Sequence, residues 1–174
     1  MRCLMASKME NLLQTILSVN ANFMIRKALY NDIEAMIGLL EQLFAIEDDF
    51  TADSKRQSRG LQLGLDLENV SFLVAEIDNK IVGMVSGQLL LSSTEGGVSL
   101  LVEDLVVDSS YRGQGIGRKL LHAVGVWGSE RGADRMQLLT DCDNLGALDF
   151  YLSQGWRRTK LICLRSYLSD RYQS

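Results

Sequence analysis

A glycine-rich turn between a predicted strand and a predicted helix is the first place where this sequence could do chemistry. Residues 111–117 read Tyr-Arg-Gly-Gln-Gly-Ile-Gly, with an apolar run before them and an apolar-periodic segment after them. Such a turn gathers unpaired backbone N–H groups and the positive end of a helix dipole at one point. An anionic phosphate can bind there without a side chain. The spacing therefore predicts a site for a phosphorylated cofactor.

The positions of these glycines exclude two common phosphate-binding loops. A dinucleotide fingerprint, G-x-G-x-x-G, started at Gly113 meets Arg118 where the third glycine is required. Started at Gly115, it meets Leu120 instead. No register supplies the ATP-binding pattern of Gly, four residues, Gly, Lys and then Ser or Thr. The turn therefore belongs to another class of loop.

Two motifs in the chain resemble those of the Gcn5-related N-acetyltransferases (GNAT). The pyrophosphate loop of that family reads Arg or Gln, two residues, Gly, one residue, Gly or Ala, and Arg112, Gly115 and Gly117 match it in full. Residues 144–156 resemble the family signature N-x-x-A-x-x-F-Y-x-x-x-G-F, with tryptophan in place of the last phenylalanine. The resemblance covers about residues 24–168, and the motifs stand in the expected order.

The order of predicted elements agrees with this resemblance. We expect an α/β (α+β) fold in a single GNAT domain over residues 24–174, after an N-terminal extension over residues 1–23. The sheet should be mixed and mostly antiparallel, with a splayed central pair of strands and flanking helices. Hydrophobic periodicity predicts helices at residues 31–44, 54–67, 115–131 and 144–152. Alternating apolar residues between turn residues predict a strand that starts at residue 24 and further strands at 71–77, 80–91, 98–107 and 135–141. One or two closing strands are expected within 156–168.

The resemblance implies acetyl-CoA as the acyl donor and no metal. In the family the central strand bulges and exposes backbone groups to the pantetheine arm, while the glycine turn holds the pyrophosphate. Asn144 is expected either to bind the cofactor or to cap the helix that follows it. The expected cofactor-binding residues are Leu105, Val106, Val107, Arg112, Gly113, Gln114, Gly115, Ile116, Gly117, Arg118 and Asn144.

Two side chains are candidates for proton transfer in an acetyl transfer to an amine. A protonated amine has no lone pair, so a base or a chain of water molecules must remove a proton, and Glu103 on the central strand is the leading candidate for the base. Tyr151 in the second motif is the candidate general acid for the departing thiolate. Strand alternation predicts that Glu103 and Asp104 point to opposite faces, so at most one enters the cleft directly.

The acceptor is expected to be a small cationic amine. Glu103-Asp104 followed by Leu-Val-Val resembles an acidic pair in polyamine and aminoglycoside acetyltransferases. In the family the loop between the first two helices overhangs the acceptor, and here it contains Glu47 and Asp48. These carboxylates could form an acidic mouth that attracts a cation, or a solvated charge run at a helix end.

Composition narrows the remaining function classes. In this chain of 174 residues, a net charge of -4 argues against a nucleic-acid-binding surface, which would need a basic face. No apolar run approaches the length of a membrane span. Its three cysteines, Cys3, Cys142 and Cys163, have no metal-ligand spacing, which favours reduced thiols in a cytoplasmic protein. The resemblance also makes a homodimer possible.

Taken together, the sequence predicts an acetyl-CoA-dependent N-acetyltransferase that moves an acetyl group to a primary amine by direct attack through a tetrahedral intermediate. Two alternatives stay open. One is a protein N-terminal or lysine acetyltransferase, with the amphipathic residues 10–19 docking a partner. The other is a non-catalytic protein that binds or senses acyl-CoA.

Overall fold

The structure, a computed structural model, describes residues 22–45 and 53–168. They divide into two compact units, and the first unit ends at Gln137. The predicted extension over residues 1–23 lies outside the described residues except for its last two, and Glu47 and Asp48 also fall outside them.

The first unit is built on a five-stranded sheet whose strands follow one another in chain order. The first three pairings are antiparallel, and the last two strands pair in parallel. This arrangement confirms the mixed, mostly antiparallel sheet predicted from the sequence. The strands are β1 (Phe23–Lys27), β2 (Val70–Ile77), β3 (Lys80–Ser92), β4 (Gly97–Val107) and β5 (Ala133–Gln137).

Helices cover both faces of this sheet. Helix α1 (Ile33–Phe44) packs against β3 and β4, and α2 (Ser54–Leu65) packs against β2. Helix α3 (Ile116–Ser129) follows the glycine turn and also packs against β3 and β4. Phe72 faces Gly64 of α2, whereas Gly87, which pairs with the neighbouring Ser71, faces Val124 of α3. Because successive strand residues point to opposite faces, α2 and α3 lie on opposite sides. Helix α4 (Leu145–Ser153) belongs to the second unit.

Close packing of α3 depends on two glycines. A Cβ atom at Gly87 of β3 would lie 2.6 Å from Val124 Cγ2, and one at Gly128 of α3 would lie 2.7 Å from Leu100 Cδ2. Both separations are below van der Waals contact, so a larger side chain would push the helix off the sheet. These glycines therefore fix the helix that carries the turn.

Local turn and cap chemistry follows the sequence closely. The predicted turn between β2 and β3 is formed by Asp78 and Asn79 with positive φ angles of 48° and 64°, as a two-residue hairpin requires. The cap of α2 is Asp53, the residue directly before the predicted start of the helix at residue 54. Its carboxylate accepts from the backbone N–H groups of Lys55 and Arg56 at 3.1 and 3.2 Å.

The prediction of closing strands within 156–168 is wrong for the described residues. That segment contains no strand, and its apolar side chains are exposed, with Leu161 and Leu164 each 87% exposed. Apolar alternation supplies side chains suited to a sheet, but a strand also needs an edge with which to pair its backbone. The preceding strand also ends earlier than expected, at Gln137 instead of residue 141.

Candidate active site

A bulge interrupts β4 at the position where the sequence places its candidate base. The pairing between β3 and β4 shifts register between Met84 and Ser86, so that Asp104 and Leu105 together lie opposite Val85. Asp104 adopts a left-handed backbone conformation with φ of 51°. A non-glycine residue rarely takes this conformation, and aspartate is among the few that tolerate it. The bulge expected from the resemblance is therefore present.

Before β4 reaches its bulge, it separates from β5. Their pairing runs from Val98 opposite Ala133 to Leu101 opposite Gln137. From residue 102 to Val107, β4 continues without a partner in β5. The splayed pair of strands predicted from the resemblance is thus confirmed, and one edge of β4 is left open by β5.

The phase of the ladder shows which backbone groups face that open edge. The N–H of Asp108 donates to the carbonyl of Val82 at 2.9 Å. Because backbone groups alternate along a strand, Val106 also faces β3, whereas Leu105 and Val107 face away from it. The side chain of Val106 is buried in the core. Of the three predicted cofactor contacts on β4, Leu105 and Val107 therefore have backbone groups at the open edge.

Arg112 lies at the end of this edge rather than free in the glycine turn. Its Nε donates to the carbonyl oxygen of Val107 at 3.0 Å. The side chain expected to help bind the pyrophosphate therefore connects the open strand edge to the turn.

The glycine turn has the geometry of an anion site. Gly113 and Gly115 have φ angles of 76° and 77°, and α3 begins directly afterwards at Ile116. Nothing lies within 4 Å of a Cβ built on Gly113, so the positive φ rather than crowding inside the protein requires glycine. The backbone N–H of Lys119 donates to the carbonyl of Gly115, the residue before α3. The N–H groups of residues 116–118 precede it in the first turn and have no acceptor within the helix.

Two carboxylates lie beside Ser86, which sequence reasoning did not identify. Glu103 is the direct cross-strand partner of Ser86, so their side chains share one face of the sheet. Asp104 accepts a hydrogen bond from Ser86 Oγ at 3.0 Å. The expectation that Glu103 and Asp104 point to opposite faces is therefore wrong, because the extra residue in the bulge breaks the alternation. Only the strand register could have revealed Ser86.

Both carboxyl groups hold their protons more tightly than free side chains do. Burial raises the pKa of Glu103, and the adjacent charge of Asp104 raises it further. Burial also raises the pKa of Asp104, an effect partly offset by the hydrogen bond from Ser86. Glu103 is the more exposed of the two. A pair of this kind can attract a cation and accept a proton from it.

In the second unit, α4 is fixed at both ends by local hydrogen bonds. Asn144 Oδ1 caps the helix by accepting from the N–H of Ala147 at 3.1 Å, which confirms its capping role. At the other end Gly155 has a φ of 83°, and the N–H of Trp156 donates to the carbonyl of Tyr151 at 3.1 Å. This is a Schellman motif, which explains the glycine of the second sequence motif.

The same helix end fixes the ring of Tyr151. Its centroid lies 5.2 Å from that of Phe150 in an edge-on arrangement and 5.7 Å from that of Trp156. A contact between the residues at the positions of Tyr151 and Trp156 commonly accompanies a Schellman motif. The candidate acid is therefore oriented by aromatic neighbours that the motif itself supplies.

Other features lie apart from these residues. A pocket of about 450 Å³ in the first unit is lined by Lys27, Glu68, Asn69, Leu89 and Arg131, none of them predicted as a site residue. Arg131 follows the C-terminus of α3, whereas the glycine turn precedes its N-terminus. Among the described residues, none of the helices has the length and apolarity needed to cross a membrane. Within the same ranges, no cluster of His, Cys, Asp or Glu could hold a metal ion.

Comparison with solved structures identifies the same fold. Aminoglycoside N-acetyltransferase AAC(6')-Iy in complex with CoA superimposes with a TM-score of 0.75 at 18% identity, covering 85% of this chain and 96% of that one. An aminoglycoside acetyltransferase from an uncultured soil metagenomic sample, in complex with sisomicin, gives a TM-score of 0.67 at 28% identity, covering 83% and 95%. A transcriptional regulator from Bacillus halodurans gives 0.74 at 26%, covering 84% and 99%.

Sequence relatives point the same way. N-acetyltransferase 8F1 of Rattus norvegicus is 34% identical over 51% of this chain, and this chain spans only 40% of that protein. An uncharacterised N-acetyltransferase of Methanocaldococcus jannaschii is 22% identical over 88% of this chain and 69% of its own length. The sequence model described as Acetyltransferase (GNAT) family matches residues 38–156, more than half of the chain. With the bulged and splayed β4, the glycine turn and the second motif all in place, this chain belongs to the GNAT family of acetyltransferases.

Proposed function

We propose that this protein transfers the acetyl group of acetyl-CoA to the primary amine of a small cationic molecule. One observation carries the proposal: the bulge of β4 places two carboxylates beside Ser86 on a strand whose open edge runs to the glycine turn. The edge suits an extended donor with amide groups, the turn suits its phosphates, and the carboxylates suit an amine.

The donor would bind along the open edge of β4. The backbone groups of Leu105 and Val107 face that edge and could pair with the amides of pantetheine. The N–H groups of residues 113–118 and the N-terminus of α3 could hold the pyrophosphate, assisted by Arg118. When a phosphate binds at the turn, Arg112 would either exchange its hydrogen bond to the carbonyl of Val107 for one to the phosphate or keep that bond.

The transfer itself requires a neutral amine. Its nitrogen attacks the acetyl carbonyl carbon, a C–N bond forms, and the carbonyl oxygen takes the negative charge of a tetrahedral intermediate. When that intermediate collapses, the C–S bond breaks and the thiolate leaves with the electron pair. Glu103 accepts the proton whose loss makes the ammonium a neutral amine, since a raised pKa makes a carboxylate a better base near neutrality. Tyr151 supplies the proton or hydrogen bond that the thiolate needs. The second proton that the nitrogen loses after the attack replaces the one that Tyr151 gives to the thiolate.

A small cationic acceptor fits the charge of the site best. The carboxylates of Glu103 and Asp104 share one face, and a cation between them would relieve their mutual repulsion. Support also comes from the relative at 28% identity, whose structure contains the aminoglycoside sisomicin. Glu47 and Asp48 would extend the acidic surface on the acceptor side. A cytoplasmic location and a homodimer complete the proposal as expectations from the cysteine content and the family resemblance.

The test is a screen of amine acceptors with acetyl-CoA, measuring release of the coenzyme A thiol. Polyamines, aminoglycosides, amino acids and lysine-containing peptides form the panel. We expect thiol release that depends on a polycationic small molecule. Absence of release with every acceptor, in a protein that binds coenzyme A by calorimetry, would refute the catalytic proposal. Preference for the peptides would favour protein acetylation instead.

The donor site has its own matched test. Gly115→Ala places a side chain in the turn at a φ of 77°, while Gly96→Ala creates comparable strain at a φ of 69° in a hairpin. Each replacement costs about 1–2 kcal/mol of backbone strain. We expect coenzyme A affinity to fall at least tenfold in Gly115→Ala alone. Equal affinities in the two variants would show that the turn does not hold the pyrophosphate.

A second function is supported by the relative named a transcriptional regulator, at 26% identity. A protein that senses acyl-CoA without catalysis would keep the donor site and lack acceptor chemistry. Coenzyme A binding that persists without thiol release, and that is unaffected by Glu103→Gln and Tyr151→Phe, would favour this function.

A further inference from the structure

We propose that Ser86 is a positioning residue, which holds the carboxylate of Asp104 next to Glu103 so that the two carboxylates act as one recognition site for the acceptor ammonium. The inference rests on the proposed function and deepens it. Ser86, on the neighbouring strand β3, is the residue that arranges Glu103 and Asp104 into a binding site for an amine.

The geometry around Ser86 leaves little freedom. Ser86 is 6% exposed, and its hydroxyl donates to Asp104 at 3.0 Å across the strand pair. Glu103 lies directly opposite it in the ladder. The hydroxyl therefore holds one carboxylate, while the backbone pairing places the other on the same face. Both carboxylates can then approach the three N–H donors of a primary ammonium.

The backbone of Asp104 is strained for this arrangement. A left-handed conformation at a residue other than glycine costs about 1–2 kcal/mol, and asparagine tolerates it best among the remaining types. Glycine would relieve the strain but would bring no carboxylate to Ser86. Strain that persists at such a position is typical of functional sites.

Charge relations within the pair assign the two carboxylates different parts. The hydroxyl of Ser86 stabilises the ionised form of Asp104, while the charge of Asp104 raises the pKa of Glu103. Asp104 is thus the carboxylate that the hydroxyl holds in place, and in its ionised form it attracts the ammonium. Glu103 is the more exposed carboxylate, to which the ammonium proton can pass.

Among the described residues, the neighbouring charge that raises the pKa of Glu103, after burial, is that of Asp104. Helix α1 lies against β3 and β4, and its carboxylates Glu34 and Glu41 are exposed. Helix α3 packs on the opposite face of the sheet, with Arg118 and Lys119 exposed near its start. On β3 the residues directly before and after Ser86 are Val85 and Gly87. α1 contributes the buried side chains Met36, Leu39 and Leu40.

The test measures the carboxyl titrations directly, by NMR of protein labelled with ¹³C at aspartate and glutamate side chains. In Ser86→Ala we expect the pKa of Asp104 to rise by about one unit, the effect of losing a hydrogen bond to a charged group. Ser86→Thr should restore the wild-type titration. Ser99→Ala, which removes another buried serine, 3% exposed, is the control and should leave it unchanged.

The second arm follows acetyl transfer to the best amine as a function of pH. Ser86→Ala should move the acidic limb of kcat/KM upward by about one pH unit, because Asp104 attracts the acceptor ammonium only once it has ionised. Asp104→Asn should move it downward, because Glu103 loses the neighbouring charge. A Ser86→Ala titration that coincides with that of Ser99→Ala would overturn the inference. A shifted titration without amine-dependent thiol release in the wild type supports the positioning role and refutes the proposed function.

Discussion

Two regions of this protein carry its predicted chemistry, and they are built in opposite ways. The carboxylate pair depends on residues distant in sequence, since Ser86 and Asp104 are 18 positions apart and meet only through strand register. Helix α4 depends on neighbours, since its cap and its Schellman motif lie within residues 144–156. The contacts of the carboxylate pair depend on strand register, so a single inserted residue can change them. The contacts at the ends of α4 depend only on residues that are close in the sequence.

The largest expected effect lies in the local region. Tyr151→Phe removes the hydroxyl that would protonate the thiolate and keeps the ring contacts with Phe150 and Trp156. We expect kcat to fall about 100-fold, the low end for general acid catalysis. Tyr167→Phe, at a tyrosine that is 64% exposed, is the control. An unchanged kcat in Tyr151→Phe would remove this region from the chemistry.

The next effect tests the region that depends on tertiary packing. Gly87→Ala would insert a methyl group 2.6 Å from Val124 and should lower the free energy of unfolding by about 1–3 kcal/mol. Gly60→Ala, at a helical glycine with nothing within 4 Å, is the matched control and should raise stability by about 0.5–1 kcal/mol. Urea denaturation measures both. Equal changes would mean that the sheet accommodates a displaced α3.

A smaller effect is expected from the end of α4. Gly155→Ala forces a side chain into a φ of 83° and should destabilise the helix end by about 1–2 kcal/mol. Gly155→Asn should lose less, because asparagine tolerates this conformation. Hydrogen exchange of the Trp156 amide reports the opening. If exchange were unchanged in Gly155→Ala, the Schellman motif would not be what holds Tyr151.

The smallest expected effect is a pH-dependent change in stability when Asp104, at the bulge, is replaced. A carboxyl whose pKa is raised by folding binds its proton more tightly in the folded state, so its ionisation opposes folding. For Asp104 this penalty is fully present above the folded-state pKa and absent below the unfolded-state value. Asp104→Asn should therefore raise stability at neutral pH and leave it unchanged near pH 3. Denaturation at the two pH values checks this, and a loss of stability at neutral pH would contradict it.

The elements most accurately predicted were those with local signals. The hairpin turn at Asp78 and Asn79, the helix after the glycine turn and the cap of α4 all follow from residue types within a few positions. Errors arose where a distant partner decides. The apolar residues of 156–168 suggested strands but have no ladder among the described residues, and the alternation of Glu103 and Asp104 failed because a bulge intervenes.

The sequence by itself determined the family and the position of the glycine turn. Those properties depend on glycines and caps, whose backbone preferences act within a few residues. The tertiary structure decided that Asp104 and Glu103 share a face, that Ser86 is the residue between them, and that Leu105 and Val107 rather than Val106 turn toward the open edge. Each of these is a consequence of register between strands, and register is fixed only when the core forms.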